Sequence, residues 1–209
     1  MKKLVIFDLD GTLLNTIADL AHSTNYALNK LGYPTHEIEK YNFMVGNGID
    51  KLFERALPEE EKSKENVLRV RKEFVPYYDI HNADDSRPYP GIPELLSYLQ
   101  DAGVQIAVAS NKYQAATQKL VDHYFPEIHF TAVFGQREGV KVKPDPIIVS
   151  DILEVAKVAK EEVLYVGDSG VDMQTAANAG VTACGVTWGF RPRTELEEFN
   201  PSYIADTAG

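Results

Sequence analysis

The 209-residue chain carries 31 acidic against 21 basic residues, a formal net charge of −10 and a pI near 5.0. That balance works against a surface that holds nucleic acid electrostatically, and no apolar run approaches the ~20 residues of a membrane span, so neither nucleic acid nor membrane is an expected partner. With 44% apolar and 25% charged residues the composition is that of a globular chain able to bury one α/β core with an insertion.

The first element is Leu4-Val5-Ile6-Phe7, an uninterrupted apolar run that stops at Asp8. Such a run predicts a short strand buried on both faces of a parallel sheet, with its ligand site just past the carboxyl end. Asp8 and Asp10 stand two apart and project to one side of an extended chain, and Gly11 permits a sharp turn behind them. Two carboxylates about 4 Å apart repel by roughly 4 kcal/mol at an effective dielectric near 20, so the pair calls for a cation or a retained proton.

From Asn15 to about Asp85 the period changes. Ile17, Leu20, Thr24, Ala27, Leu28 and Leu31 predict an amphipathic helix closed by Gly32 and Pro34. A second helix follows Gly46-Asn47-Gly48, with Ile49, Leu52, Phe53, Ala56 and Leu57 on one face. A third runs from about Glu59 to Tyr78, with Val67, Leu68, Val70, Phe74 and Val75 as its apolar positions. No strand is expected in this stretch.

After Pro88-Tyr89-Pro90-Gly91 strand and helix alternate. Ile92–Ala102 is predicted helical, Val104–Ala109 a buried strand, and Tyr113–His123 a helix whose start Ser110 and Asn111 would cap, leaving N–H groups for an anion. Thr131–Phe134 is a weak strand. Lys141 and Lys143 both precede Pro144, and the prolines restrict where a lysine there can point. Val163–Val166 is a strand ending in Gly167-Asp168-Ser169-Gly170-Val171-Asp172, and a small-residue helix over Gln174–Ala179 stops at Gly180. Val181–Val186 and Tyr203–Ala205 complete the strands, with Trp188 and Phe190 as packing residues between them. The single cysteine, Cys184, reads as a core residue and cannot form an internal disulfide; with no leader ahead of the first strand, a cytoplasmic location is expected. The whole predicts a Rossmann-like α/β fold, a parallel sheet with helices on both faces, interrupted by an all-helical insertion.

Asp8-Leu-Asp10-Gly11-Thr12-Leu13, Ser110-Asn111, Lys143-Pro144 and Gly167-Asp168-Ser169-Gly170-Val171-Asp172 resemble, in this order, the four motifs of the haloacid dehalogenase-like superfamily, whose members are mostly magnesium-dependent phosphatases. The resemblance implies a catalytic core of residues 1–14 and 86–209 under a helical cap of residues 15–85. It implies that Asp8 is the nucleophile, Asp10 the general acid and base, and Lys143, rather than Lys141, the neutralising cation. Ser110, Asn111, Gly11 and Thr12 would surround the phosphoryl group. Mg²⁺ would be held by Asp8, the Asp10 backbone carbonyl and Asp168, with Asp172 as a ligand or a support. Asn15 stands where the family commonly has Asp.

Asn15-Thr16-Ile17-Ala18-Asp19-Leu20, Val45-Gly46-Asn47-Gly48, Arg55-Ala56-Leu57 and Gly185-Val186-Thr187-Trp188-Gly189-Phe190-Arg191 resemble the phosphoglycolate phosphatase subgroup. That resemblance implies a small-molecule phosphate ester such as 2-phosphoglycolate as substrate, with Asn47 and Arg55 as candidate binders of its carboxylate, in a monomer or homodimer. The alternatives are a phosphoglucomutase-like isomerase, a sugar-phosphate or nucleotide phosphatase, a metal-free dehalogenase, and a non-catalytic phosphate-sensing module. Asp10, Lys143-Pro144 and the acidic fourth motif argue against the dehalogenase, and the filled catalytic positions argue against the sensor.

Overall fold

A computed structural model describes all 209 residues. In chain order the elements are β1 (Leu4–Phe7), β2 (Leu14–Asn15), α1 (Ile17–Lys30), α2 (Ile49–Ala56), α3 (Lys64–His81), β3 (Arg87–Pro88), α4 (Ile92–Asp101) and β4 (Gln105–Tyr113). They continue as α5 (Gln114–Tyr124), β5 (Ala132–Gln136), α6 (Ile147–Ala156), β6 (Val163–Gly167), α7 (Gly170–Ala179), β7 (Thr182–Val186), α8 (Arg193–Glu197) and β8 (Tyr203–Ala205).

Six strands form one parallel sheet in the order β5-β4-β1-β6-β7-β8. The chain fills one side of β1 with β4 and β5 before crossing to β6, β7 and β8, so its winding reverses beside β1. At such a reversal the helices leave the sheet in opposite directions and open a crevice at the strands' carboxyl ends. Alternation along β1 supplies both faces of the sheet. Leu4 and Ile6 pack with Ile148, Val149 and Ile152 of α6 and Met173 and Ala176 of α7; Val5 and Phe7 pack with Ile92 and Leu96 of α4 and Leu120 and Val121 of α5. No helix is long and apolar enough to cross a membrane.

The segment between β2 and β3 is helical and has its own buried cluster. Leu20 and Leu28 of α1, Leu52 and Phe53 of α2, and Val70, Phe74 and Tyr78 of α3 meet there, with Ala116 of α5 as the one fully buried member from elsewhere. The Phe53 and Phe74 rings stand edge to face at 4.9 Å, and Phe74 stacks on Tyr78 at 5.0 Å. Burying side chains of this size is worth about 1.5–3 kcal/mol each, which gives the segment its internal cohesion. The chain enters and leaves it through the adjacent antiparallel strands β2 and β3. The buried Asp19 carboxylate in the first turn of α1 ties the crossings together, accepting from Asp85 N, Ser86 N and Ser86 Oγ at 2.6–3.2 Å.

Several boundaries differ from the sequence expectation, each for a local reason. β2 and β3 pair where no strand is predicted, because two residues are too few for a periodicity. α3 starts at Lys64 rather than near Glu59, since Ser63 Oγ caps it by accepting from Asn66 N at 3.1 Å, and Glu59–Glu61 is a single 3₁₀ turn. Leu68 is half exposed, and Tyr78 fills the core position instead. α7 starts at Gly170 rather than Gln174. Ser169 and Asp172 cap it reciprocally, each side chain accepting from the other's backbone N–H. β4 runs through Ser110, Asn111 and Lys112 to Tyr113 with a shift in register, so Ser110 and Asn111 do not cap α5. Cys184 on β7 is only partly buried.

Candidate active site

The carboxyl ends of β1, β4 and β6 deliver Asp8, Ser110 and Asp168 to one crevice, which is lined in addition by Asp10, Lys112, Ser169, Phe190 and Arg191 and roofed by Leu20, Val45, Ile49 and Leu52 of the helical segment. Asp8, Asp168 and Asp172 place carboxylate oxygens within 4.8 Å of one another, all three residues being buried. A single ammonium answers two of them. Lys143 Nζ lies 3.0 Å from Asp8 Oδ1 and 2.7 Å from Asp172 Oδ1, and it donates to the Ala109 carbonyl at 2.9 Å. The Lys143-Pro144 peptide is cis, while Lys141 is solvent-exposed and faces Asp145.

The two motif acids are held differently. Asp8 receives both of its protein donors, Leu9 N at 2.7 Å and Lys143 Nζ, on Oδ1, which leaves Oδ2 without one. Asp10 is held at both oxygens, Oδ1 by the Thr16 hydroxyl at 2.6 Å and Oδ2 by Lys112 Nζ at 3.1 Å. Lys112 is itself buried and donates to the Tyr78 hydroxyl of α3 at 2.8 Å. A lysine following Ser110-Asn111 looks like a surface residue in sequence; its adjacency to that motif was the available signal. It adds a second lysine to a site for which the resemblance implies Lys143 and Mg²⁺ as the neutralising cations.

Asp168 accepts from Phe190 N at 2.7 Å and, at 3.5 Å, from the Thr12 hydroxyl. Gly11 and Gly189 flank it so closely that a Cβ on either would collide with its carboxyl, and Gly11 has φ +83°. Trp188 donates to the Thr12 carbonyl at 3.0 Å, so the loop after β7 braces the first turn after β1 as well as packing. Asp172 is saturated: Lys143 Nζ and Tyr165 OH reach Oδ1, and Ser169 N and Oγ reach Oδ2.

The remaining sequence candidates separate. Ser110 lies in the crevice, its hydroxyl accepting from Lys112 N at 3.1 Å. Asn111 is there too, but its amide clamps Lys143, accepting from Lys143 N at 2.8 Å and donating to the Lys143 carbonyl at 3.1 Å, and it also donates to the Gly46 carbonyl. Asn47 and Arg55 do not line the crevice. The Arg55 guanidinium is taken up by Asn47 Oδ1 at 2.7 Å and the Met44 carbonyl at 2.8 Å on the exposed side of α2.

Burial raises Asp8 well above the ordinary carboxylate range, with Asp172 adding to the rise and Lys143 opposing it. Burial, then Asp172, lifts Asp168 to about 7 against the pull of Phe190 N. Desolvation alone would lower Lys143, but the charges of Asp172 and Asp8 outweigh it and hold the ammonium. Three buried acids around one buried ammonium leave excess negative charge, and hard carboxylate oxygens with an open side suit a divalent cation such as Mg²⁺.

The profile of the family described as "Haloacid dehalogenase-like hydrolase" matches residues 5–186. The chain belongs to the haloacid dehalogenase-like hydrolases. A phosphoglycolate phosphatase from Vibrio parahaemolyticus is 33% identical over 98% of this chain and 92% of its own length. Among solved structures, a Lactobacillus delbrueckii subsp. bulgaricus protein superposes with a TM-score of 0.93 at 34% identity, covering 100% of this chain and 96% of its own. A predicted phosphoglycolate phosphatase from Haemophilus somnus superposes with a TM-score of 0.91 at 30% identity, covering 99% and 95%. This member of the family is thus an enzyme, a hydrolase, built on the Rossmann-like α/β fold.

Proposed function

We propose that the chain hydrolyses a small, carboxylate-bearing phosphate ester, 2-phosphoglycolate by preference, through a phosphoryl group carried on Asp8. The observation that carries this reading is the contrast between two acids at the same strand end: Asp8 with one oxygen free of protein donors, Asp10 pinned at both. The first is suited to attack, the second to exchange a proton.

Asp8 Oδ2 attacks phosphorus in line as the ester bond breaks, and the departing alkoxide takes its proton through Asp10. Water then attacks the aspartyl-phosphate with Asp10 as base, returning Asp8 and releasing phosphate. Lys143, Ser110 and the N–H groups after β1 face the transferred oxygens, and Asn111 fixes Lys143 from its backbone. Mg²⁺ bound to Asp8, Asp168 and the Asp10 carbonyl would neutralise the phosphoryl oxygens and offset the carboxylates' mutual repulsion. Asp172, with both oxygens spent on protein donors, orients Lys143 from behind.

The segment of residues 15–85 acts as a cap. It roofs the crevice with Leu20, Val45, Ile49 and Leu52. The relatives named phosphoglycolate phosphatase support the choice of 2-phosphoglycolate. An unpaired thiol and an acidic chain agree with a cytoplasmic enzyme. Phosphate release across a few dozen esters, with and without Mg²⁺, tests the reading. We expect 2-phosphoglycolate to give the highest kcat/KM and Asp8→Asn to abolish release; preference for nucleotides or sugar phosphates, or near-normal turnover by Asp8→Asn, would reject it.

A further inference from the structure

Two cations line the crevice, Lys112 and Arg191. Lys112 is matched by Asp10. Arg191 is not matched in the same way. Its side chain is 13% exposed, yet its nearest carboxylate, Glu195 Oε2, stands at 3.9 Å, and the other oxygen of Glu195 is already committed to Gly170 N at 2.9 Å. Its guanidinium instead donates to neutral acceptors, the Val45 carbonyl at 3.0 Å and the Phe43 carbonyl at 3.4 Å, and lies over the Phe43 ring.

A second guanidinium crowds the same place. Arg55 donates to Met44 O, the carbonyl between the two that Arg191 uses. Burial, with the charge of Arg191 behind it, lowers the pKa of Arg55. Two guanidiniums thus share three successive carbonyls with no carboxylate between them, and of the two only Arg191 reaches the crevice. Its place in the chain is fixed by the site: the preceding residue, Phe190, donates its N–H to Asp168. A partly desolvated guanidinium bonded only to neutral oxygens gains most from a carboxylate, which it can grip with two parallel hydrogen bonds.

We propose that Arg191 is the specificity-determining residue of this enzyme, taking the carboxylate that the leaving group carries beyond the ester oxygen. The proposal rests on the reading above that a small carboxylated ester is the substrate. It moves the carboxylate-binding role from Arg55, where the sequence suggests it, to the loop after β7. Arg191 then gives up its bonds to Val45 and Phe43 in favour of the substrate, which links recognition to the position of the roof.

The test compares 2-phosphoglycolate with ethyl phosphate, which keeps the phosphoryl group and the two-carbon chain and lacks the carboxylate. In the unaltered enzyme kcat/KM should favour 2-phosphoglycolate; no preference there would sink the substrate reading itself, before any substitution is made. Given that preference, Arg191→Gln should reduce the ratio of the two kcat/KM values about 10- to 100-fold, the range for losing a charge-assisted hydrogen bond. Arg191→Lys should reduce it by less, and it decides the matter if the glutamine variant does not fold. An equal fall for both esters would make Arg191 a structural tie and overturn the proposal. So would a ratio unchanged in both variants, or a ratio lost on Arg55→Gln instead.

Discussion

Replacing Lys143 with methionine removes one buried charge and leaves the volume nearly intact. The ammonium stands 2.7 Å from Asp172 and 3.0 Å from Asp8, with 1% of its side chain exposed. Coulomb's law at an effective dielectric near 20 gives each contact about 6 kcal/mol of attraction. Most of that offsets desolvation, and breaking a buried pair costs a net ~3–5 kcal/mol, a large share of a domain's stability. The loss should depend on pH. Asp8 is already raised by burial and by Asp172, and Lys143 is the group that restrains it. Without Lys143 its folded pKa rises further above the unfolded value. The folded variant then binds more protons than the unfolded chain between the two values, so stability falls as pH rises through the folded one. Urea unfolding in excess chelator should therefore show a deficit of about 3–5 kcal/mol at pH 8 and no more than about half of that at pH 5, where Asp8 can take up a proton. A deficit equal at both pH values, or below about 1 kcal/mol at pH 8, would refute the charge argument.

Three further outcomes follow from the same geometry. Asp10→Asn should slow steady-state hydrolysis at least ~10²-fold, the usual span of general acid/base catalysis, while an aryl phosphate, whose leaving group needs little proton assistance, still gives a burst of phenol equal to the enzyme present; turnover within tenfold of normal would exclude Asp10 as the proton carrier. Asp168 is raised to about 7 and Asp8 also lies high, so the metal-free protein loses stability as pH climbs from about 4 through that range, and Mg²⁺, which needs both ionised, should lift Tm more at pH 8 than at pH 5.5; equal lifts would count against these acids as its ligands. Gly189→Ala adds a methyl that meets Asp168 and the Gly11 carbonyl, so half-saturation by Mg²⁺ should require at least ~10-fold more metal, as for other changes just outside a metal's ligands; an unchanged titration would mean the loop yields freely.

The sheet and its acids were legible because buried parallel strands are written as apolar runs, and in β1 and β6 the run breaks at the site: Asp8 follows Phe7 at the end of β1, and Asp168 follows Gly167 at the end of β6. What escaped is of two kinds. Ser110 and Asn111 carry a strong local preference for helix caps, but β4 runs on past them and pairs again at Tyr113, which takes the cap position of α5. The others are meetings across long stretches of chain. Lys112 finds Tyr78 across 34 residues, and Arg191 finds Val45 across 146; nothing near either residue in sequence announces the partner. Arg55 shows the reverse case. It lies close in sequence to Gly46-Asn47-Gly48, yet its guanidinium is bonded to Asn47 on the exposed side of α2, while Arg191, from the far end of the chain, lines the crevice.

The paired strands β2 and β3 bring both crossings of the chain to one spot on the rim of the sheet. A piece joined through two neighbouring threads can be exchanged for another of different size without rethreading anything beneath it. The lengths of polypeptide above and below the crevice can therefore be exchanged separately, and a graft between Asn15 and Arg87 would rebuild the roof while leaving Asp8, Lys143 and Arg191 where they stand.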